Sequence, residues 1–396
     1  MILPTAGVIV HTLGHSAMER LRDVIRAAAR RDRKLRVGID IRPFYEPLTG
    51  VGWYLYHLIH HLAGRDDVDL ILFGDARVTD QGPRLHADLP PNARHLVFDL
   101  RGRVPSRLDR PLTAAGYVIW MWLQRCDVVL GANYFLPRLM GAVARRRVIT
   151  VHDVTYKRFP HLLQKETLDN LEAQMTREIA MADAVICVSE STRQDVLHYY
   201  EVDPRRVVAI HSGLPELPEP APIDLPARYI LFVSTVEPRK NLGLLLDVFE
   251  RLEYDGSLVV AGKIGWKAGE ISRRLGGPRI VHLDYVPPAQ LATVYRNADV
   301  FVFPSIYEGF GFPVLEAMAH GVPVVAARSS SLPEIAGDAA LYFDPADRDD
   351  LAGQLRRLLR DEALREELIG RGRARAAAFR WDRTAERTVQ VLRSVS

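Results

Sequence analysis

Short apolar runs alternate with longer stretches in which apolar residues recur three or four positions apart, from residue 35 to the end of the chain. The runs 35–41, 69–73, 127–130, 147–151, 184–188 and 207–210 have the length of buried strands and are rich in Val and Ile. Helical spacing sets 53–63, 164–182 and 190–200 between them, the last with Ser189 placed to cap it. Strand and helix in repetition predict a mainly parallel α/β sheet, whose ligands sit at the strands' carboxyl ends. A second series repeats the pattern, with strands at 229–235, 257–262, 279–286, 301–303 and 323–327 and helices at 242–252 and 288–298. From Asp347 onward the pattern is helical in three pieces, with Trp381 as an anchor for the last.

Between the two series, Pro215, Pro218, Pro220, Pro222 and Pro226 forbid a regular helix or a central strand and favour a stiff, extended connection. The chain therefore divides into a unit at 35–214, a linker at 215–227, a second unit at 228–378 and a terminal helix at 379–396. Residues 1–34 stand apart. Leu21, Val24, Ile25 and Ala28 recur there at helical spacing among six arginines, which predicts a basic amphipathic helix suited to peripheral contact with an anionic membrane. A solvated extension is the plainer alternative.

Composition narrows the picture little further. With 396 residues, 48% of them hydrophobic, the chain can bury two cores. Its net charge of +3 gives no indication of nucleic acid as a partner. The two cysteines, Cys126 and Cys187, offer no metal set and suit a reducing, cytoplasmic compartment. No apolar run reaches the roughly 18 residues of a membrane span.

The stretch 301–317 carries the most chemistry. A buried strand ends at Pro304, a loop with Gly309 and Gly311 follows, and a helix opens with Pro313 in its first turn. The amides of Gly311 and Phe312 then lie at a helix N-terminus, where unpaired N–H groups and the helix dipole favour an anion such as phosphate. Glu308 and Glu316 flank that turn, and a carboxylate accepts what sugar hydroxyls donate. Glu316 lies within an apolar run, where a carboxylate is costly to bury without a partner, and it is suited to both hydroxyls of a ribose. At the next strand end, Arg239 and Lys240 are adjacent cations that can neutralise a diphosphate, the first as a fork and the second as a point charge.

Glu308, seven intervening residues and Glu316, with Gly309 and Gly311 between them, resemble the E-x7-E motif of retaining GT-B glycosyltransferases (family 4, group 1). Arg239-Lys240 and the segment from Ser329 through Pro345 are similar to that family's motifs too. The resemblance implies two Rossmann-like, doubly wound domains facing a central cleft, with the terminal helix crossing back to the first. It implies that Arg239 and Lys240 grip the donor pyrophosphate, and that the loop with Phe310 and Phe312 belongs to the donor site. Tyr285-Val286-Pro287 falls where the family seats the nucleobase, and Val286 is taken as its contact. Gly50 and Gly52, predicted in a turn before helix 53–63, fit a packing turn as well as a ligand contact; the family's corresponding loop faces the donor diphosphate and the acceptor. His152-Asp153 follows a strand end. A lone histidine is more often structural, but the resemblance gives His152 contact with the donor sugar or reacting groups and lets Asp153 orient it or reach the acceptor. His211, after another strand, is placed to line the cleft.

By the same resemblance the reaction is hexose transfer with retention, without a divalent metal or other cofactor. The segment Ser234 to Asn241 is most similar to the mannosyltransferase branch using GDP-mannose or related GDP-sugars, acting on a glycan or lipid-linked oligosaccharide in surface polysaccharide synthesis. A UDP-sugar donor is the nearest competitor. An epimerase of the same fold acting on UDP-N-acetylglucosamine would need no acceptor, and a silent binding protein would not need Glu308, Glu316, Arg239, Lys240 and His152 together.

Overall fold

The computed structural model describes residues 34–45, 47–75, 85–98, 119, 121–136, 145–162 and 165–396. The membrane-helix expectation for residues 1–34 falls, Lys34 apart, outside them.

Two all-parallel sheets organise the chain. The first contains β1 (Leu35–Asp40), β2 (Val68–Asp75), β3 (Arg94–Phe98), β4 (Val128–Gly131), β5 (Arg146–Val151), β6 (Ala184–Cys187) and β7 (Val207–Ala209), in the order β3-β2-β1-β4-β5-β6-β7. The second contains β8 (Tyr229–Val233), β9 (Ser257–Ala261), β10 (Ile280–Leu283), β11 (Val300–Phe303), β12 (Val324–Ala327) and β13 (Ala340–Phe343), ordered β10-β9-β8-β11-β12-β13. Strands β4, β6, β11 and β12 are buried at every residue rather than alternately, as a parallel sheet covered on both faces requires. Strand order reverses between β1 and β4 and between β8 and β11. Each sheet therefore has a switch point where its carboxyl ends diverge and leave a crevice.

Among the described residues, the helices of eight residues or more that flank these sheets are α1 (Gly50–Ala63), α2 (Lys165–Met181), α3 (Glu190–Tyr199), α4 (Leu242–Phe249), α5 (Pro288–Arg296), α6 (Phe312–Ala319), α7 (Arg348–Arg360), α8 (Glu362–Ala377) and α9 (Trp381–Val395). Ser189 caps α3 as its position predicts, its Oγ accepting from the Thr192 amide at 3.0 Å. Two strands escape the sequence pattern: β3 is charged at its start, and β13 follows a helix too short to show a period. Strand 279–286 stops at Leu283, which leaves Tyr285 and Val286 in the loop before α5.

The expected glycine turn at 49–52 is also corrected. Helix α1 begins at Gly50, so Gly50 and Gly52 occupy its first turn, and neither has a positive φ. A Cβ on Gly50 would meet nothing, whereas one on Gly52 would meet the Leu48 side chain at 2.9 Å.

Helix α9 returns to the first sheet's unit and packs on α1. Its buried residues Trp381, Thr384, Ala385, Thr388, Val389 and Leu392 form one stripe at helical spacing. The Trp381 ring lies 5.2 Å from His57 and 5.6 Å from Tyr54, and Arg393 reaches Asp67 at 3.2 Å. The chain enters α9 beside Gly213, and Leu214 donates its amide to the Phe379 carbonyl at 2.9 Å. A Cβ on Gly213 would stand 2.2 Å from the Trp381 backbone nitrogen, an atom that cannot rotate away.

Gly213→Ala is therefore expected to destabilise the fold by about 1–3 kcal/mol through overpacking, seen as a lower midpoint in thermal or denaturant unfolding. An unchanged midpoint would contradict this crossing of α9 over the linker.

Candidate active site

The second sheet's switch point holds the charged centre. After β8 a single 3-10 turn, Pro238–Lys240, presents both cations, and Asn241 closes it in the left-handed conformation at φ 55°. After β11 the loop 304–311 runs opposite. There the Glu308 carboxylate takes Lys240 Nζ at 2.6 Å and Ser305 Oγ at 2.6 Å on one oxygen, and Arg239 Nη1 at 3.1 Å on the other. Arg239 is fixed on its far side by Glu237 at 2.7 Å and by the Tyr307 carbonyl, to which it donates at 2.7 Å. Burial opposes ionisation of Glu308, but the Lys240 and Arg239 charges outweigh it and hold the carboxyl below its ordinary value. Glu308 is thus an ionised acceptor whose two cations carry the positive charge that a diphosphate would need.

Three consecutive serines fix this loop. Ser329 Oγ donates to the Ser305 carbonyl at 2.7 Å, Ser330 Oγ accepts from the Glu308 amide at 2.7 Å, and Ser331 Oγ donates to the carbonyls of Glu308 and Phe310 at 2.9 and 2.7 Å. Gly311 then begins α6 at φ 108°, with Leu332 2.8 Å from where a Cβ would stand. Hence the helix N-terminus forms where the sequence predicts.

The same loop meets the first unit. A Cβ on Gly309 would stand 1.7 Å from the His152 carbonyl oxygen, and the Gly309 carbonyl accepts from Ser189 Oγ at 2.6 Å and Thr192 Oγ1 at 3.2 Å. Phe310 is buried against Phe312, Phe379 and His211. The contacts of Gly309 and Phe310 make part of the seam between the units. Tyr307 bridges the seam as well, donating to Asp195 at 2.8 Å and accepting from the Val154 amide at 3.2 Å. Glu334 crosses it from the other side, accepting from the amides of Glu190 and Ser191 at 2.7 and 2.9 Å and from His211 Nε2 at 2.5 Å. His211 therefore serves this contact.

His152 and Asp153 stand at the end of β5, against Gly309. The imidazole donates from Nε2 to the Ala132 carbonyl at 2.8 Å and lies edge-on to Tyr54 and Tyr134. Burial lowers its pKa, against the Ala132 carbonyl and Asp153, so the ring is neutral with Nδ1 left as an acceptor. Asp153 accepts from the Thr155 amide at 3.0 Å, and its charge helps keep Arg239 protonated.

Beside this centre the cleft holds a cavity of about 700 Å³. Glu316, Phe312, Val286, Tyr285 and Lys263 line it from the second unit, Gly50, Trp53 and His57 from the first, and Trp381 from α9. Glu316 is half-buried, with its Oε2 accepting from Tyr295 at 2.8 Å, and burial pushes its carboxyl above the ordinary value against that bond. The wall omits Arg239, Lys240, Glu308, His152 and Gly52; the four-residue step from Glu308 to Phe312 joins the charged centre to the cavity. Sequence reasoning missed Ser305, Tyr307 and Glu334, which lie within motifs it singled out, and Tyr295 and Trp53, whose helical positions look like ordinary core and surface.

Comparison with known proteins agrees with this geometry. Residues 48–216 match the family model "Glycosyltransferase Family 4", and residues 215–375 match "Glycosyl transferases group 1". The chain is 30% identical over 384 residues to O-antigen chain mannosyltransferase B of Escherichia coli, covering 90% of this chain and 98% of that one. Among solved structures, sucrose-phosphate synthase from Thermosynechococcus elongatus superposes with a TM-score of 0.70 at 21% identity, over 91% of this chain and 99% of that one. Anabaena HepE, solved in complex with UDP, gives 0.66 at 17%, over 91% and 100%. Two doubly wound units around a cleft are the GT-B fold that the sequence motifs imply.

The Glu334 clamp carries a pH signature. Burial raises its carboxyl, but the His211 hydrogen bond and the two amides outweigh this and hold it below 4.5. A depressed folded value means that its contribution is present above about pH 4.5 and lost as pH falls through the lower folded value. Glu334→Gln should remove that component and flatten the fall of stability below about pH 4.5 in denaturant titrations. Superimposable pH profiles for the two proteins would refute the clamp.

Proposed function

The chain belongs to the family 4, group 1 glycosyltransferases, and from its cleft we propose that it moves mannose or a related hexose from a GDP-sugar to a glycan or lipid-linked acceptor in surface polysaccharide synthesis. The observation that carries this is the pairing of Glu308 with Lys240 and Arg239 at the switch point of the second sheet, one step along the loop from the cavity with Glu316. The Escherichia coli relative's name, a mannosyltransferase of O-antigen chains, supports the sugar and the class of acceptor.

In this reading the nucleoside lies in the cavity, with Val286 at the base and the Glu316 carboxylate accepting from the ribose hydroxyls. The diphosphate takes the place of Glu308 on Lys240 and Arg239 and receives the amides of Gly311 and Phe312 at the start of α6. These groups do the work of a divalent ion, and the proposed transfer uses no metal or other cofactor. Released from the cations, Glu308 accepts from a donor-sugar hydroxyl.

Retention follows if the acceptor hydroxyl attacks the face the diphosphate leaves. The bond from the anomeric carbon to the phosphate oxygen breaks, the bond to the acceptor oxygen forms, and the departing phosphate oxygen takes the acceptor's proton. Arg239, Lys240 and the helix terminus stabilise the charge growing on that oxygen. His152 and Asp153 border the reacting sugar across the seam. Among the described residues no helix is long and apolar enough to cross a membrane. A lipid-linked acceptor would be met, in this reading, by peripheral contact with the cytoplasmic membrane face.

Calorimetric titration should show GDP bound more tightly than UDP; the reverse order would move the donor to the UDP-sugars, and no affinity for either would sink the nucleotide-sugar reading. Glu316→Ala should weaken nucleotide binding about tenfold or more, the scale of a hydrogen bond to a charged group. Because burial raises the Glu316 pKa, affinity should begin to fall at a pH above the 4.5 of an ordinary glutamate. Lys240→Ala should lower turnover about a hundredfold or more while circular dichroism stays unchanged.

A further inference from the structure

The 700 Å³ cavity does not end at the first unit's wall. It shares Leu48, Trp53 and His86 with a second, open depression of about 440 Å³, lined further by Tyr56, Leu85, Ala87 and Asp88. Trp53 and Tyr56 stand on one face of α1, with His57 and His60 between and beyond them. Two hydrogen bonds hold the opposite wall in place: His86 donates its amide to the Phe44 carbonyl at 2.8 Å, and His60 Nε2 donates to the Asp88 carbonyl at 3.1 Å. The two spaces thus adjoin along a shared wall that carries the Trp53 indole.

That indole is held flat and left open. Trp53 is 42% exposed, although it is among the largest apolar side chains of the unit. Tyr56 meets it edge-on at 5.7 Å and 79°, while His57 stacks on it at 6.0 Å and 27° and on Trp381 at 5.2 Å and 21°. A braced aromatic face loses little conformational freedom on binding, and the polar groups of His86 and Asp88 lie beside it. This combination fits a pyranose, whose C–H face lies on an aromatic ring while its hydroxyls point to polar neighbours.

Resting on the transferase reading above, we propose that Trp53 is the platform for the acceptor, that the acceptor is an oligosaccharide, and that the groove over α1 toward Tyr56 and Asp88 takes its residues beyond the reacting end. The groove's length then sets a preference for longer acceptors, and a lone sugar or a bare lipid phosphate fills only part of it.

The test measures transfer from the nucleotide sugar the protein turns over to the methyl glycosides of mannose, mannobiose and mannotetraose. The expected result is kcat/KM rising about tenfold or more from mannose to the tetrasaccharide. Trp53→Ala should depress all three, with Trp53→Phe recovering part of the loss. Tyr56→Ala, which touches only the second cavity, should remove most of the length preference, with GDP and UDP affinity measured in parallel as the control for folding. Equal kcat/KM at every length, or a Tyr56→Ala loss that is the same for mannose and the tetrasaccharide, would overturn the groove. Nucleotide binding without transfer to any of the three would also overturn it, while leaving the nucleotide site standing. Absence of nucleotide binding in the unaltered protein would instead bring down the transferase reading and this inference with it.

Discussion

The cleft depends on one buried carboxylate shared by two cations. Glu308 accepts from Lys240 and Arg239 at the point where β8 and β11 diverge, and Ser305 and Ser330 secure the loop that carries it. Buried charges of this kind persist only when paired, because removing either partner leaves an uncompensated ion in a poorly solvated place. The cations are therefore held in position before any ligand arrives. An anion that takes over from Glu308 meets groups that need little reorganisation, and such preorganisation is what makes a site stabilise developing charge.

The seam shares this loop. Gly309 touches the His152 carbonyl so closely that no side chain fits, and its own carbonyl is held by Ser189 and Thr192 from the first unit. On the other side Glu334 supplies the carboxylate for two amides at the start of α3, where the helix dipole favours a negative charge. The contacts that bring the units together thus run through residues adjacent in sequence to the charged centre.

The cavity divides its labour between the units. The second unit contributes Glu316, Val286 and the first turn of α6, while the first contributes an aromatic face and histidines. Helix α9 belongs in sequence to the end of the chain, yet it places Trp381 in the same wall and braces His57. This crossing makes the wall a product of three separated stretches, and the Gly213 contact is where they are locked.

Local physics made much of this readable in advance. Buried parallel strands declare themselves as unbroken apolar runs, prolines mark the linker, and Pro313 after Gly311 marks the start of α6. The family motifs at 239–240 and 308–316 lie at strand ends, so the sequence alone located the charged residues and the helix N-terminus. It could not say that Glu308 would neutralise both cations, that Phe310 would turn into the seam, or that Gly50 and Gly52 would begin a helix. Nor could it single out Tyr295, Trp53 or Glu334, which on their own helices look like ordinary core, surface and first-turn residues. Such roles arise between residues far apart in the chain, 144 positions in the case of Glu190 and Glu334, where no local pattern carries the information. Pairing, exposure and the shape of a cavity are properties of what lies across from a residue, and only the folded chain decides that.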